Sequence, residues 1–239
     1  MDTDQENKAL IFAEKLIEET SSSIFLTGKA GTGKSTFLRK IARESEKNLV
    51  VLAPTGIASI NAKGQTIHSF FKVPFGPLQP SDARLRKIKF KPAKLEIIES
   101  LDLLIIDEIS MVRADVLDAI DFLLRKFKRV AKPFGGVQML LVGDLFQLEP
   151  VVPKEEKEFL DNFYRTAYFF SAWGFNEMDI VNLELQKIYR QSDPHFIGLL
   201  NKVREKKATY DDLVSLNSRP TKQTSDDKNF YITLSTTRR

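Results

Sequence analysis

The chain has 239 residues, 42% of them hydrophobic, a net charge of +4 and a sequence pI of about 9.1. That length bounds it to one large domain or one and a half ordinary ones, and the lack of any cysteine excludes a disulfide framework or a thiolate metal site. No apolar run reaches membrane length and the charged N-terminus carries no signal-peptide core, so the expectation is an intracellular protein without a membrane partner. That means cytoplasm or nucleoid in a bacterium, nucleus or mitochondrion in a eukaryote.

In chain order, residues 24–26 (Ile24, Phe25, Leu26) read as a buried strand and residues 36–42 as a helix. Between them Gly28, Lys29, Ala30, Gly31, Thr32, Gly33, Lys34, Ser35 and Thr36 fit G-x-x-x-x-G-K-[ST]. Glycines let such a backbone curl with its N–H groups inward around a phosphate, and a helix N-terminus adds positive potential. Lys34 is placed to meet the β/γ-phosphates and the Ser35 hydroxyl to sit on Mg²⁺. A nucleoside triphosphate site is expected.

Residues 49–52 form the next strand run, followed by Ala53, Pro54, Thr55 and Gly56, with Thr66, Ile67, His68, Ser69, Phe70 and Phe71 further on. These two stretches carry no hydrolytic logic. They offer amides, small hydroxyls and an aromatic edge, suited to phosphate contact and base stacking; taken alone, His68 is an ordinary core or surface histidine. Residues 73–92 break the rhythm with prolines and positive charge and read as an insertion that leaves the sheet and projects outward. Arg84, Arg86, Lys87, Lys89, Lys91 and Lys94 fall together with no acid among them, and Arg125, Lys126, Lys128, Arg129 and Lys132 form a second cluster. A polyanion partner explains both, and so does a solvated face.

Residues 101–106 read as a strand that ends in Asp107 and Glu108, delivering two carboxylates to the edge where open α/β sheets bind ligands. Asp107 is expected to hold Mg²⁺, directly or through water, and Glu108 to orient and deprotonate an attacking water. Residues 115–128 repeat apolar side chains at helical spacing, residues 137–142 are another strand, and Gly143 to Leu148 follow it. There Gln147 is a candidate to reach the γ-phosphate or the water. Residues 163–175, with the single tryptophan at Trp173, read as core, and residues 180–185 as a last strand. Strand and helix in alternation predict an α/β P-loop domain, a parallel sheet flanked by helices.

The ordered set 28–36, 53–59, 66–71, 105–111, 142–151 and Ile188, Tyr189, Arg190, Gln191 resembles the motif series of superfamily-one DNA helicases of the 5′-to-3′ class, shared in large part by RecD-like enzymes. The stretch 115–138, from Asp115, Val116, Leu117 and Asp118 to Pro133, Phe134, Gly135, Gly136, Val137 and Gln138, is similar to the signature segment of the Pif-one family. Glu149 departs from it, standing where the family usually has proline. The resemblance implies a RecA-like motor domain driven by ATP and Mg²⁺, with a place in repair, recombination and telomere maintenance. It implies that Arg190 contacts the γ-phosphate, and that Gln5 reads adenine, with Asn7 fitting the spacing about as well. It gives Pro54, Thr55, Gly56, His68, Ser69 and Phe71 to single-stranded DNA, and the insertion to a small basic wedge beside a duplex. Partners are then single-stranded DNA, DNA junctions or G-quadruplexes, met by a monomer.

The resulting division is 1–72 and 95–220 for the RecA-like domain, 73–94 for the wedge, and 221–239 for a linker and the first strand of a second motor domain. The expectation is therefore an N-terminal half-motor with little unwinding of its own. A P-loop ATPase acting elsewhere, or a nucleotide-gated single-strand binding module, are the alternatives.

Overall fold

A computed structural model describes residues 8–80, 82–189 and 193–218. Helix α1 (Lys8–Glu19) leads into β1 (Ser23–Gly28), α2 (Lys34–Glu44), β2 (Leu49–Ala53), α3 (Gly56–Asn61), the short β3 (Gln65–Thr66) and α4 (Ile67–Phe71). Then come α5 (Ala83–Arg86), α6 (Pro92–Glu99), β4 (Leu103–Ile106), α7 (Ala114–Lys128), β5 (Gln138–Gly143), α8 (Lys154–Asp161), α9 (Trp173–Asn176) and β6 (Ile180–Leu185). The last two helices are α10 (Pro194–Arg204) and α11 (Tyr210–Asn217).

The six strands form one sheet in the order β3-β2-β4-β5-β1-β6, and every pairing is parallel. Parallel strands need crossovers, and crossovers put helices on both faces. The side chains record this by alternating. Phe25, Leu104, Ile106, Met139 and Leu141 enter one core with α4 to α7. Ile24, Leu26, Leu103, Ile105, Leu140 and Val142 enter the other, with Ala13 and Ile17 of α1 and Phe37, Leu38 and Ile41 of α2. All four residues of β4 and all six of β5 are buried. This is why the central strands read as continuous apolar runs.

The segment 73–94 does not project outward as expected. Val73, Leu78 and Leu85 are buried in the same core as the sheet. Asp115 on α7 accepts the Leu78 N–H at 3.0 Å, and Lys126 Nζ donates to the Arg86 and Ile88 carbonyls at 2.8 and 3.1 Å. Much of the basic charge is likewise engaged by partners in the same chain. Lys128 Nζ donates to the Glu99 and Leu101 carbonyls, Arg125 pairs with Asp121 and Glu177, Arg84 pairs with Asp82, and Lys94 Nζ lies 3.0 Å from the centre of the Phe70 ring. The second basic cluster is in large part a set of tethers on α7. Arg86, Lys87, Lys89 and Lys91 remain exposed.

The aromatic stretch 163–175 is core only in part. Tyr164 and Phe169 are buried, but Trp173 is 55% exposed, because it opens α9 at the rim where its N–H donates to Asp118. The chain divides into two units after residue 192. In the second, Asp193 caps α10, and Thr209 and Asp212 form a capping box on α11, tied to α10 by Lys202. Residues 221–239, expected to hold a linker and a strand, lie outside the described residues.

Candidate active site and adjoining groove

β1 ends in a loop whose backbone only glycine adopts easily. Gly28 has φ of 152° and a Cβ there would stand 2.7 Å from the Leu185 carbonyl, while Gly33 has φ of 95°. Gly33 is the N-cap of α2 and supplies no side-chain acceptor, so the first-turn N–H groups of the helix face the loop. Lys34 Nζ crosses that loop and donates to the Gly28 and Lys29 carbonyls at 2.6 and 3.1 Å. Thr32 is turned inward: fully buried, its hydroxyl donates to Lys29 O at 2.9 Å and holds the curl together. Ala30, Ser35 and Thr36 are exposed and Gly31 is half-buried at the mouth.

The sheet order puts β5 between β1 and β4, so three strand ends converge beside this loop. The Asp107 N–H donates to Leu52 O at 2.9 Å, and its Oδ1 accepts the Glu108 N–H at 3.0 Å. Burial pushes the Asp107 carboxyl above its ordinary range, against the pull of the Glu108 N–H and of Lys34 and Arg39. Glu108 takes the left-handed conformation at φ 51°. Burial first, then the Asp107 and Asp144 charges, raise its carboxyl, and Lys34 opposes them. Lys34, Asp107 and Glu108 therefore share one field.

Within the 142–148 stretch, where the motif pattern singles out only Gln147, stands Asp144. It follows β5 and is 1% exposed, accepts the Phe146 N–H at 3.0 Å and the Gln147 side-chain amide at 3.1 Å, and its carbonyl accepts the Gln147 N–H. Gln147 is exposed, aimed by Asp144. On the other side, the Tyr189 N–H donates to Gly31 O at 2.8 Å and its ring lies 3.9 Å from where a Cβ on Gly33 would be. Arg190, Gln5 and Asn7 lie outside the described residues.

A groove of about 270 Å³ adjoins this edge, lined by Pro54, Thr55, His68, Phe75, Met111 and Arg113 among others. Thr55 caps α3 by accepting the Ala58 N–H, and Thr66 caps α4 by accepting the Ser69 N–H. Gly56 and Ser69 are exposed. Phe71 is a correction. Helical spacing in α4 turns Ile67, Phe70 and Phe71 into the core together, and Phe71 is 0% exposed, packed edge-on against Phe70. It has no face to offer a ligand. His68 is half-buried with its imidazole pushed toward the neutral form by burial and Arg113.

The signature segment also proved structural in a way its sequence did not announce. Asp115, Asp118 and Asp121 sit at three-residue spacing on α7, and each receives the N–H of a different loop. Asp115 takes Leu78, Asp118 takes Trp173 and Gly174, and Asp121 takes Phe134 at 2.5 Å. The readable sign was three acids on an otherwise apolar face. Gly135 serves the same packing, since a Cβ there would lie 2.8 Å from Leu124 O, while Gly136 is required by its φ of 77°.

A family model described as PIF1-like helicase matches residues 1–214. The chain is 36% identical over 194 residues to the ATP-dependent DNA helicase PIF1 of Saccharomyces cerevisiae, covering 79% of this chain and 22% of that protein. Among solved structures it is similar to a Bacteroides Pif1 bound to ssDNA, at 45% identity and TM-score 0.86, covering 93% of this chain and 51% of that one. The same helicase in complex with ADP-AlF3 and ssDNA aligns at 45% identity and TM-score 0.85, covering 92% and 51%. The chain thus spans about a quarter of the length of the curated relatives and about half that of the solved ones.

Proposed function

This chain belongs to the PIF1-like helicase family, and on that premise we propose that it is an ATP-hydrolysing motor domain that works on single-stranded DNA, moving 5′-to-3′ as the first of two RecA-like domains. One observation carries the reading. The phosphate loop, the Asp107–Glu108 pair and the Asp144–Gln147 loop end neighbouring strands at one edge of the sheet, and the Lys34 charge acts on both Asp107 and Glu108.

The loop amides and the α2 N-terminus hold the phosphates, with Lys34 moving from the loop carbonyls to the β/γ-oxygens. A hydroxyl at Ser35 and a carboxylate at Asp107 are hard oxygen donors. They suit Mg²⁺, which takes few protein ligands and keeps water and phosphate for the rest. Among the described residues no group of three or more His, Cys, Asp and Glu gathers to hold an ion without such help. When bound, the ion would neutralise negative charge that develops on the phosphates during transfer. Glu108, its carboxyl raised by burial and by two acidic neighbours, is the base: it takes a proton from water as the water oxygen bonds the γ-phosphorus and the bond to the bridging oxygen breaks. Gln147 orients that water, and Arg190 meets the γ-phosphate. The groove of Pro54, Thr55 and His68, with exposed Gly56 and Ser69, takes the DNA strand. The exposed lysines and Arg86 of segment 73–94 keep the wedge role.

The experiment is ATP turnover with and without oligo-dT. Turnover that DNA stimulates, and that Lys34→Ala abolishes, is the expected result. Turnover indifferent to DNA would favour the P-loop ATPase acting elsewhere, and turnover unchanged in Lys34→Ala would sink the catalytic assignment.

A further inference from the structure

We propose that Phe75 is a base-stacking residue of the groove, so that this domain grips single-stranded DNA by a nucleobase as well as by phosphates. The proposal rests on the reading of the groove as a DNA path, and adds a residue that the motif comparison did not assign.

Phe75 is 82% exposed. A lone exposed phenylalanine needs no explanation; this one is held in place. Its ring lies parallel to the His68 imidazole, centroids 4.9 Å apart and planes 9° from parallel. One face of the ring is therefore backed by His68 and the other is open to solvent. The backbone around it is pinned from several sides. Arg84 Nη1 and Nη2 donate to the Phe75 and Pro77 carbonyls at 3.4 and 2.6 Å. Arg113 Nη2 donates to Gly76 O at 3.1 Å, and Asp115 accepts the Leu78 N–H at 3.0 Å. Arg113 is itself fixed on Asp115 and Glu156. Gly76 takes φ of 85°, and no atom lies within 4 Å of where its Cβ would be, so the glycine is there for the turn that presents the ring and not for want of space.

A flat ring on a fixed loop loses little freedom on binding, which is what makes an aromatic side chain an effective anchor. Every base offers a π-face, so such a stack is indifferent to sequence. The lining around the ring is apolar at Ile67, Met111, Val112 and Val151, which favours a base over a phosphate there, while Arg86, Lys87, Lys89 and Lys91 of the same segment are exposed for the backbone.

The test is fluorescence anisotropy of the 239-residue chain with labelled oligo-dT and with an abasic oligomer of the same length, for the native chain, Phe75→Leu and Phe75→Trp. Phe75→Leu is expected to weaken oligo-dT binding about ten-fold, to leave abasic binding and the salt slope unchanged, and to be undone by Phe75→Trp. Because the side chain is exposed, thermal unfolding of both variants should match the native chain. Equal oligo-dT affinity for Phe75→Leu and the native chain would overturn the proposal while leaving the DNA path standing. So would an equal loss on both oligomers. A native chain that binds neither oligomer, even at low salt, would overturn the reading of the groove itself and this proposal with it.

Discussion

Lys34 connects the two halves of the candidate site, because the ammonium that rests on the Gly28 and Lys29 carbonyls also acts on Asp107 and Glu108. Its hydrogen bonds to the Gly28 and Lys29 carbonyls are ordinary ones, so Lys34→Ala should change the unfolding free energy by no more than about 2 kcal/mol. ATP turnover should fall at least about 100-fold. Urea unfolding and a turnover assay on one preparation check both. Burying Asp107 comes at a cost to the fold. Burial raises its carboxyl, and a carboxyl raised in the folded state supports folding below its ordinary pKa and opposes it once pH climbs through the raised value. Asp107→Asn without nucleotide should therefore unfold at a higher temperature than the native chain at pH 8. The gain should shrink as pH falls toward the ordinary carboxylate range, and hydrolysis should be lost. A variant melting at or below the native chain at pH 8 would contradict this.

Helix α7 is the element on which the rest of the first unit hangs. Its apolar face closes one core, and its three aspartates tie down the loops at 78, 134 and 173–174. Asp121 also pairs with Arg125, so Asp121→Ala strands the buried Phe134 N–H and takes away one of the two carboxylates that hold Arg125. The expected cost is about 3 kcal/mol, measured by urea unfolding; a loss under about 1 kcal/mol would place the strength of this packing elsewhere. In the second unit the Lys202 ion pair, then the Thr209 backbone and hydroxyl, hold the Asp212 carboxyl down at about 2. A depressed carboxyl stabilises above its ordinary pKa and stops doing so as pH falls through the lowered value. The start of α11 should thus loosen between pH 4 and about 2. Amide exchange at residues 209–213 would register it, and Asp212→Asn should show the same faster exchange already at neutral pH.

At the scale of the molecule, the parallel order β3-β2-β4-β5-β1-β6 turns three distant loops into one edge. A ligand there touches the ends of strands that only the folded chain brings together, so it stabilises by mass action. ADP with Mg²⁺ at 100 times its dissociation constant should add about 2.7 kcal/mol to the native chain and little to Lys34→Ala; thermal scans across a nucleotide titration decide it. Much of this was legible without the fold. The 28–36 loop, the apolar run into Asp107 and Glu108 and the two-faced burial of the strands are written in local spacing, because glycine torsions, helix starts and strand continuity are short-range matters. Which aromatic near residue 70 faces out was not. Phe71 and Phe75 are alike as letters, but a one-turn helix buries the first and a pinned turn exposes the second. Nor did the charge clusters announce that Lys126, Lys128 and Arg125 end on carbonyls and carboxylates of their own chain, since their partners lie 4 to 52 residues away. The sequence by itself determined the phosphate loop, the acid pair and the α/β alternation. Only the tertiary structure decided that Asp144 stands between them, that the 73–94 segment folds onto α7, and that Phe75 lies on His68, because each depends on which distant backbone arrives at a given side chain.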